Sequence, residues 1–476
     1  MTEPPHPGPT PSPALGSDAI ARDQAAPAEA TRSVAPSHAA PIQATPAEGL
    51  APSNDAPHAA LRYRDFRLYQ AARLSSVLSS EMVAVAVAWQ VYETTHRAVS
   101  LGYVGLAQFL PSFLLFLVAG HAVDRFDRRR VLQLVQFSYA VIAALLLAYS
   151  LAGARAVAPV YGILILLGIA RAFGAPAGQA FVPDLVPEQH FANAVTWGSS
   201  VFMVATITGP GLGGLVYAWV GAASVYGVAV VAYLVAFGFT TAIRTRTGRM
   251  EPRGASLETV LAGFRYVWNS PIILGSISLD LFAVLLGGAV ALLPIFASNV
   301  LHTGVRGLGV LRAAPSAGAM LMAILLAFRP LRRRAGALMF AGVAIFGAAT
   351  IAFGLSRSLP LSLGLLFVVG AADMISVVVR QTLVQIKTPS QMRGRVSAVN
   401  MLFIGTSNEF GEFESGVTAQ WLGAVPATVL GGIGTLLVVA AWMRMFPELR
   451  RVQSLRPTGK SATQREAERR ASAQQV

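Results

Sequence analysis

The chain contains no cysteine, which excludes thiol catalysis, thiolate metal ligation and disulfide bonds. It is also poor in charge. Only 13% of its 476 residues are Asp, Glu, Lys or Arg, where a soluble domain carries roughly 25%. There is no G-x-x-x-x-G-K-[ST] segment, so no phosphate loop is at hand to drive a self-contained ATP-powered pump. The 7 histidines (His6, His38, His58, His96, His121, His190 and His302) are scattered, and none forms a cluster with metal-ligand spacing. We expect no metal, no other cofactor and no enzymatic activity. Residues 1–60 lack an apolar core segment, so no cleavable signal peptide is expected, and the first membrane helix must itself target the chain.

What the chain has is apolar residues, 54% of the total. They fall in blocks of roughly 20, enough to cross a hydrocarbon layer of about 30 Å. The first six blocks lie near 66–92, 101–123, 131–152, 158–180, 192–219 and 222–243. Six more lie near 272–299, 307–329, 336–355, 360–385, 396–422 and 425–445. Between the two sets, Leu257, Val260, Leu261, Phe264, Val267 and Trp268 recur at helical spacing, with Ser256 placed to cap the helix. That pattern predicts a short amphipathic helix on the membrane surface. The expected fold is therefore an all-α membrane protein of twelve transmembrane helices in two six-helix pseudo-repeats. Its parts are a disordered Pro/Ala-rich tail (1–60), a first half (61–243), a cytoplasmic linker (244–271), a second half (272–447) and a basic tail (448–476).

The net charge of +14 could suggest nucleic acid, but the cations sit in short loops between apolar blocks. One set of loops holds Arg125, Arg128, Arg129 and Arg130; Arg244, Arg246, Arg249 and Arg253; Arg329, Arg332, Arg333 and Arg334; and Lys387, Arg393 and Arg395. The opposite set holds Arg97, Arg155, Arg306 and Arg357. This bias places both termini and the central linker in the cytoplasm, in a multi-pass inner-membrane protein. The lipid bilayer is its solvent, and nucleic acid is not an expected partner.

A weak internal repeat supports two halves. Pro187, Gln189 and Ala194-Val195 follow the fourth block, and Pro389, Gln391 and Ala398-Val399 follow the tenth. Such repeats suit a transporter that rocks one half against the other.

After the second block stand Gly120, Asp124, Arg125, Arg128, Arg129 and Leu132. They resemble the loop signature of the major facilitator superfamily, although Asp127 stands where that family usually has Gly. The Asp-Arg-Phe-Asp-Arg-Arg form is similar to the branch of enterobactin-exporter-like carriers. Gly209-Pro210-Gly211-Leu212-Gly213-Gly214 resembles the antiporter signature of drug-exporting members. Formally it also reads G-x-G-x-x-G. A dinucleotide site needs a preceding strand and a following acid, and 219–239 holds no Asp or Glu. The resemblance, over roughly 62–450, implies a monomeric secondary transporter of small organic molecules. Gly120, Asp124, Arg125, Arg128 and Arg129 would act as a conformational latch, and Gly209, Pro210, Gly213 and Gly214 as a close helix-packing motif.

Ionisable residues at span depth cost at least ~2.5–3.5 kcal/mol each, so they are functional candidates by default. They are Arg73 and Glu81, near one face of the first block, then Arg171, Asp280, Asp373 and Arg380, and Glu409, Glu412 and Glu414 in the eleventh block. A carboxyl group removed from water takes up a proton more readily, so it can load and release one as water access alternates. Asp280, Glu81, Asp373 and Glu412 are the proton-coupling candidates. Arg73, Arg171 and Arg380 are the embedded cations. Asp280 has no basic neighbour in its own span, so neutralising it is expected to relieve a desolvation penalty. Trp89, Phe109, Phe113, Phe282 and Phe403 are aromatic candidates for the substrate path. The expected function is export of a siderophore or drug-like amphiphile by alternating access with proton antiport. An uptake carrier of the same fold, or a membrane sensor or scaffold, are the alternatives.

Reporter fusions test the topology. Fusions at Arg129, Gly254 and Arg333 should report cytoplasm, and fusions near Ala154 and Ser358 the outside. An outside signal at Gly254 would put an odd number of spans before the linker and break the two-half arrangement.

Overall fold

The computed structural model describes residues 58–154, 156–246, 257–329, 331 and 334–453. The expected disordered tail before residue 58, the linker stretch 247–256 with the Ser256 cap, and the basic tail after 453 lie outside these residues. Among the described residues all regular structure is helical.

The first bundle comprises α1 (Arg64–Thr95), α2 (Ala98–Leu114), α3 (Phe116–Arg125), α4 (Arg128–Leu151), α5 (Ala158–Leu185), α6 (Phe191–Val220) and α7 (Ala222–Ala242). A short helix, α8 (Leu257–Trp268), follows. The second bundle holds α9 (Pro271–Leu286), α10 (Leu293–Ile295), α11 (Gly304–Phe328), α12 (Ala335–Leu355), α13 (Leu359–Lys387), α14 (Ser390–Leu422) and α15 (Ala424–Met445), and α16 (Pro447–Arg450) closes it. Among the described residues ten helices, or broken spans such as Pro271–Val300, are long and apolar enough to cross a membrane, and the bent pair α2–α3 makes up to eleven. Helix α14 is 33 residues long but carries Arg393, Arg395, Glu409, Glu412 and Glu414. With α14 included, the count is consistent with twelve.

Two apolar blocks that read as continuous are broken. Helices α2 and α3 meet at 53° around Leu115. Pro111, one turn earlier, has no N–H to give the ladder. The span from Pro271 to Val300 unwinds at Gly287-Gly288, runs through a 3-10 turn over Ala289–Leu292, and ends in a π turn over Phe296–Val300. A Cβ on Gly288 would stand 2.8 Å from the Gly411 carbonyl of α14, so the break is where two backbones meet.

The internal repeat is visible in a turn. Gly221 joins α6 to α7 at φ +96°, and Gly423 joins α14 to α15 at φ +90°. Both donate their N–H back one turn, Gly221 to Tyr217 and Gly423 to Ala419. Only glycine takes that conformation without strain, so the two bundles turn the same corner with the same residue.

Among the described residues the bundles share a buried core at one end. Tyr92, Ala98 and Leu101 pack with Ala289, Leu292, Phe296, Val305, Leu308 and Ala419, at the end away from the Arg-rich loops. The backbones there nearly touch. A Cβ on Gly102 would lie 3.0 Å from the Phe413 Cα, and one on Gly416 would lie 3.0 Å from the Gly102 nitrogen. Asn299 donates to the Tyr92 hydroxyl across the same seam at 2.7 Å. At the basic end each bundle keeps its own core. Phe66, Val123, Leu132, Phe181 and Ile243 form one, and Val267, Ile273, Ile277, Val384 and Val396 the other. The halves are thus sealed at the far end, with a cleft toward the basic loops.

The absence of native cysteine makes the seal directly testable. Val99 N–H lies 3.5 Å from the Gln420 side-chain oxygen. The pair Val99→Cys and Gln420→Cys should react fully with a short bifunctional maleimide in substrate-free protein, and the linked protein should no longer transport. Slow or negligible linking would place the seal elsewhere.

Candidate functional site

The floor of the cleft is charged. Glu81 comes from α1, Arg171 from α5, Arg312 from α11, and Glu409 and Glu412 from α14, so both bundles contribute. Arg171 Nη1 stands 3.7 Å from Glu409 Oε1. The Arg171 side chain is 58% exposed in mid-helix, whereas Glu409 is 18% exposed, so the guanidinium projects into the cleft. Arg171 and Arg312 both act electrostatically on Glu81, Glu409 and Glu412, and Glu412 acts on Glu409. Gly105 of α2 leaves room for the acids. A Cβ there would lie 2.9 Å from Glu412 Oε2 and 3.2 Å from Glu409 Oε2. Glu414 faces away and accepts a hydrogen bond from Thr418 at 2.7 Å.

A second group lies within the second bundle. Arg380 Nη1 of α13 sits 2.9 Å from Asp280 Oδ2 of α9 and 3.3 Å from Asn400 Oδ1 of α14. Asp280 and Arg380 are both buried. Asp373, two turns before Arg380 on α13, interacts electrostatically with both. Here the structure amends the sequence expectation. Asp280 is alone in its own span, but α13 supplies its partner. Neutralising Asp280 would take from the buried Arg380 the carboxylate that touches it, leaving Asp373 as its remaining counter-charge, and so would not simply relieve a penalty.

The glycine motif divides its work between two neighbours. Cβ atoms on Gly209 and Gly213 would strike Glu81 and Met82 of α1, at 2.6 Å and 2.8 Å. One on Gly214 would lie 2.7 Å from the Val305 carbonyl of α11, and Gly309 of α11 approaches the Pro210 carbonyl in return. The motif therefore seats Glu81 and closes the seam between bundles at once, while Gly211 has open space beside it.

The loop signature is also divided. Arg128 pairs with Asp184 at 2.7 Å and donates to the Ala180 carbonyl, tying α4 to α5. Arg129 donates to the Thr241 carbonyl at 2.6 Å, tying α4 to α7, and Asp127 caps α4 by accepting the Arg129 N–H. Asp124 makes no hydrogen bond or ion pair among the described residues, and a Cβ on Gly120 would meet nothing within 4 Å. Arg125 is exposed. In this state the signature braces the first bundle. His121 is exposed at the same helix end.

Of the residues singled out by depth, the structure brings Glu81, Arg171, Glu409 and Glu412 together, and Asp280, Asp373 and Arg380 together. Arg73 joins neither set. Arg312 and Gly105 went unrecognised in the sequence. The criterion that selects Arg171, a lone arginine in an apolar block, applies equally to Arg312. Among the aromatics, Phe109 is buried against Phe113 and Phe410, Phe282 meets Trp442 with ring centroids 5.2 Å apart and planes tilted by 53°, and Phe403 meets Phe264 of α8. An apolar groove of about 700 Å³ between α2 and α5, lined by Tyr103, Leu110, Leu114, Tyr161 and Ile165, contains no charged group.

The buried pair makes a stability prediction. Asp280→Asn should cost about 3–5 kcal/mol and lower the melting temperature in detergent. Adding Arg380→Leu should recover at least half of that loss. Additive losses in the double variant would show that the two side chains do not act as a unit.

The comparisons with known proteins agree with this architecture. A bacterial homolog of the human lysosomal transporter Spinster, solved in an inward-facing and unoccupied conformation, superposes with a TM-score of 0.64 at 17% identity, covering 82% of this chain and 98% of that one. The nucleoside transporter NupG, as its D323A mutant, superposes with a TM-score of 0.63 at 12% identity, covering 80% and 100%. Among curated relatives, the enterobactin exporter EntS of Citrobacter koseri is 26% identical over 82% of this chain and 94% of its own length. The enterobactin exporter EntS of Escherichia coli O1:K1 / APEC is 25% identical over the same shares. The profile of the family described as "Transmembrane secretion effector" matches residues 55–469. A multi-pass helical protein of two bundles, with a charged cleft floor and nearly the full length matched, belongs to that family of major facilitator superfamily transporters and is a transporter rather than an enzyme.

Proposed function

We propose that the chain exports a small organic molecule, a siderophore or drug-like amphiphile, across the inner membrane by alternating access in exchange for protons. The observation that carries the reading is the cleft-floor cluster, because its members come from both bundles. Glu81 and Arg171 belong to the first, and Arg312, Glu409 and Glu412 to the second. Rocking the bundles apart at the sealed end would pull α2 from α14 and α6 from α11, and with them these charges. Separating opposite charges in a medium of low dielectric is costly, so their ionisation biases which state is stable. Three carboxylates face two guanidiniums. One added proton balances the cluster, and its loss leaves one negative charge to be satisfied by the substrate or by reclosure.

Glu81 and Glu412 are the coupling carboxylates in this reading. Asp280 and Asp373, sharing Arg380, form a second proton site inside the second bundle. With both termini cytoplasmic, the cleft opens to the cytoplasm, where an exporter loads. Gly120 and Asp124, uncommitted here, would engage across the basic end when that end closes, with Arg125, Arg128 and Arg129 as their basic surroundings. The relatives' names, enterobactin exporters, support export and the substrate class. The protein acts as a monomer, with no nucleic acid and no cofactor.

Glu412→Gln fixes the protonated charge state. In proteoliposomes it should abolish substrate accumulation driven by a pH gradient, while exchange down the substrate's own gradient persists. A Gln variant that still concentrates substrate with the proton gradient would remove Glu412 from coupling. Absence of pH-driven transport in the unaltered protein would overturn the antiport reading itself.

A further inference from the structure

The half of α1 nearer the basic loops carries a guanidinium that the charge cluster does not use. Arg73 makes no ion pair or hydrogen bond among the described residues. Its Cζ stands 5.8 Å from the centroid of the Phe202 ring on α6. About one turn earlier, Gln70 is buried, 6% exposed, and neither its amide nitrogen nor its amide oxygen has a partner. Both groups approach one spot. A Cβ on Gly198 would lie 2.8 Å from Arg73 Nη1 and 3.5 Å from Gln70 Nε2. A cation, a primary amide and a ring thus converge on a residue of α6 that has no side chain.

A membrane protein does not leave such groups idle cheaply. An embedded cation without a counter-charge and a buried amide without a partner both lack what water would otherwise give them. The guanidinium offers a planar fork of donors suited to two oxygens. The amide adds one donor set and one acceptor. Phe202, 44% exposed, gives a face on which a flat ring can lie. The ligand that satisfies all three is a planar aromatic anion with a further hydrogen-bonding group for the amide. A cationic amphiphile would meet like charge there.

We propose that Arg73, Gln70 and Phe202 form an anion-recognition subsite of the transport cleft, selective for aromatic substrates that bear a carboxylate or ionised phenol. The subsite rests on the reading of the chain as a carrier of small organic molecules, and it is independent of proton coupling and of transport direction. It lies on the basic-loop side of Glu81, so a substrate entering the open cleft reaches Arg73 before the cluster.

Binding to the full chain in phosphatidylcholine nanodiscs tests this, with salicylate and its neutral analogue salicylamide as probes and calorimetry as the readout. Salicylate should bind about tenfold more tightly or better, as charge-assisted hydrogen bonding predicts. Arg73→Gln should remove that preference, Arg73→Lys should keep part of it, and Phe202→Leu should weaken both probes. Gly198→Ala, whose Cβ would displace the guanidinium, should also reduce the preference and serves where Arg73→Gln fails to fold. Equal affinity for the two probes, or an Arg73→Gln protein that folds and keeps the preference, would overturn the subsite. A preference that vanishes in phosphatidylglycerol nanodiscs would assign the position to a lipid headgroup and overturn the substrate role. Failure of proton-driven transport with salicylate selectivity intact would refute antiport and leave the subsite standing.

Discussion

A charge placed inside a hydrocarbon layer must find a partner, and the architecture of this protein is organised around that constraint. Asp280 and Arg380 meet at 2.9 Å from separate helices. Arg171, Arg312, Glu81, Glu409 and Glu412 meet from four helices and two bundles. Water screens the buried members poorly, Asp280 and Arg380 above all, so each of these constrains the relative position of the helices that carry it. A paired set inside one bundle acts as a rivet. A set divided between bundles changes its energy with their relative motion, which is what the proposed coupling draws on.

Small residues make the coupling possible. Gly209 and Gly213 bring α6 against Glu81 and Met82, and Gly214 brings the same helix against α11. Gly102 and Gly416 do likewise for α2 and α14, and Gly105 leaves space for the two glutamates. Lipid tails are as apolar as leucine, so helices gain little by hiding apolar side chains from lipid. Close backbone approach supplies the van der Waals contact instead. The seam is therefore tight without being covalently or ionically locked along its length, which suits an interface that opens and recloses in the proposed cycle. The loop signature adds rigidity at the other end. Arg128 and Arg129 hold α4 to α5 and α7, so the first bundle can move as one body.

Much of this was legible in the sequence, for stated reasons. Block length and charge poverty give the helices, since hydropathy is set residue by residue against a slab of known thickness. The depth criterion gives most of the charged residues, because an ion in an apolar block is exceptional wherever its side chain points. Arg312, a lone arginine in an apolar block, meets the same criterion. The breaks at Leu115 and at Gly287-Gly288 were less legible. A proline or a glycine pair permits a bend, but packing against α5 or α14 decides whether one occurs.

The sequence by itself determined the solvent, the helical class, the presence of an internal repeat and the list of costly ions, since these follow from local composition and periodicity. Tertiary structure alone decided who pairs with whom. Asp280 looks solitary along the chain and finds Arg380 far from it in sequence. Glu81 and Arg73 share a helix, yet the first joins the cross-bundle cluster and the second is left facing Gln70, Gly198 and Phe202. Electrostatic energy depends on distance in space and on local polarity, and neither is a function of position along the chain.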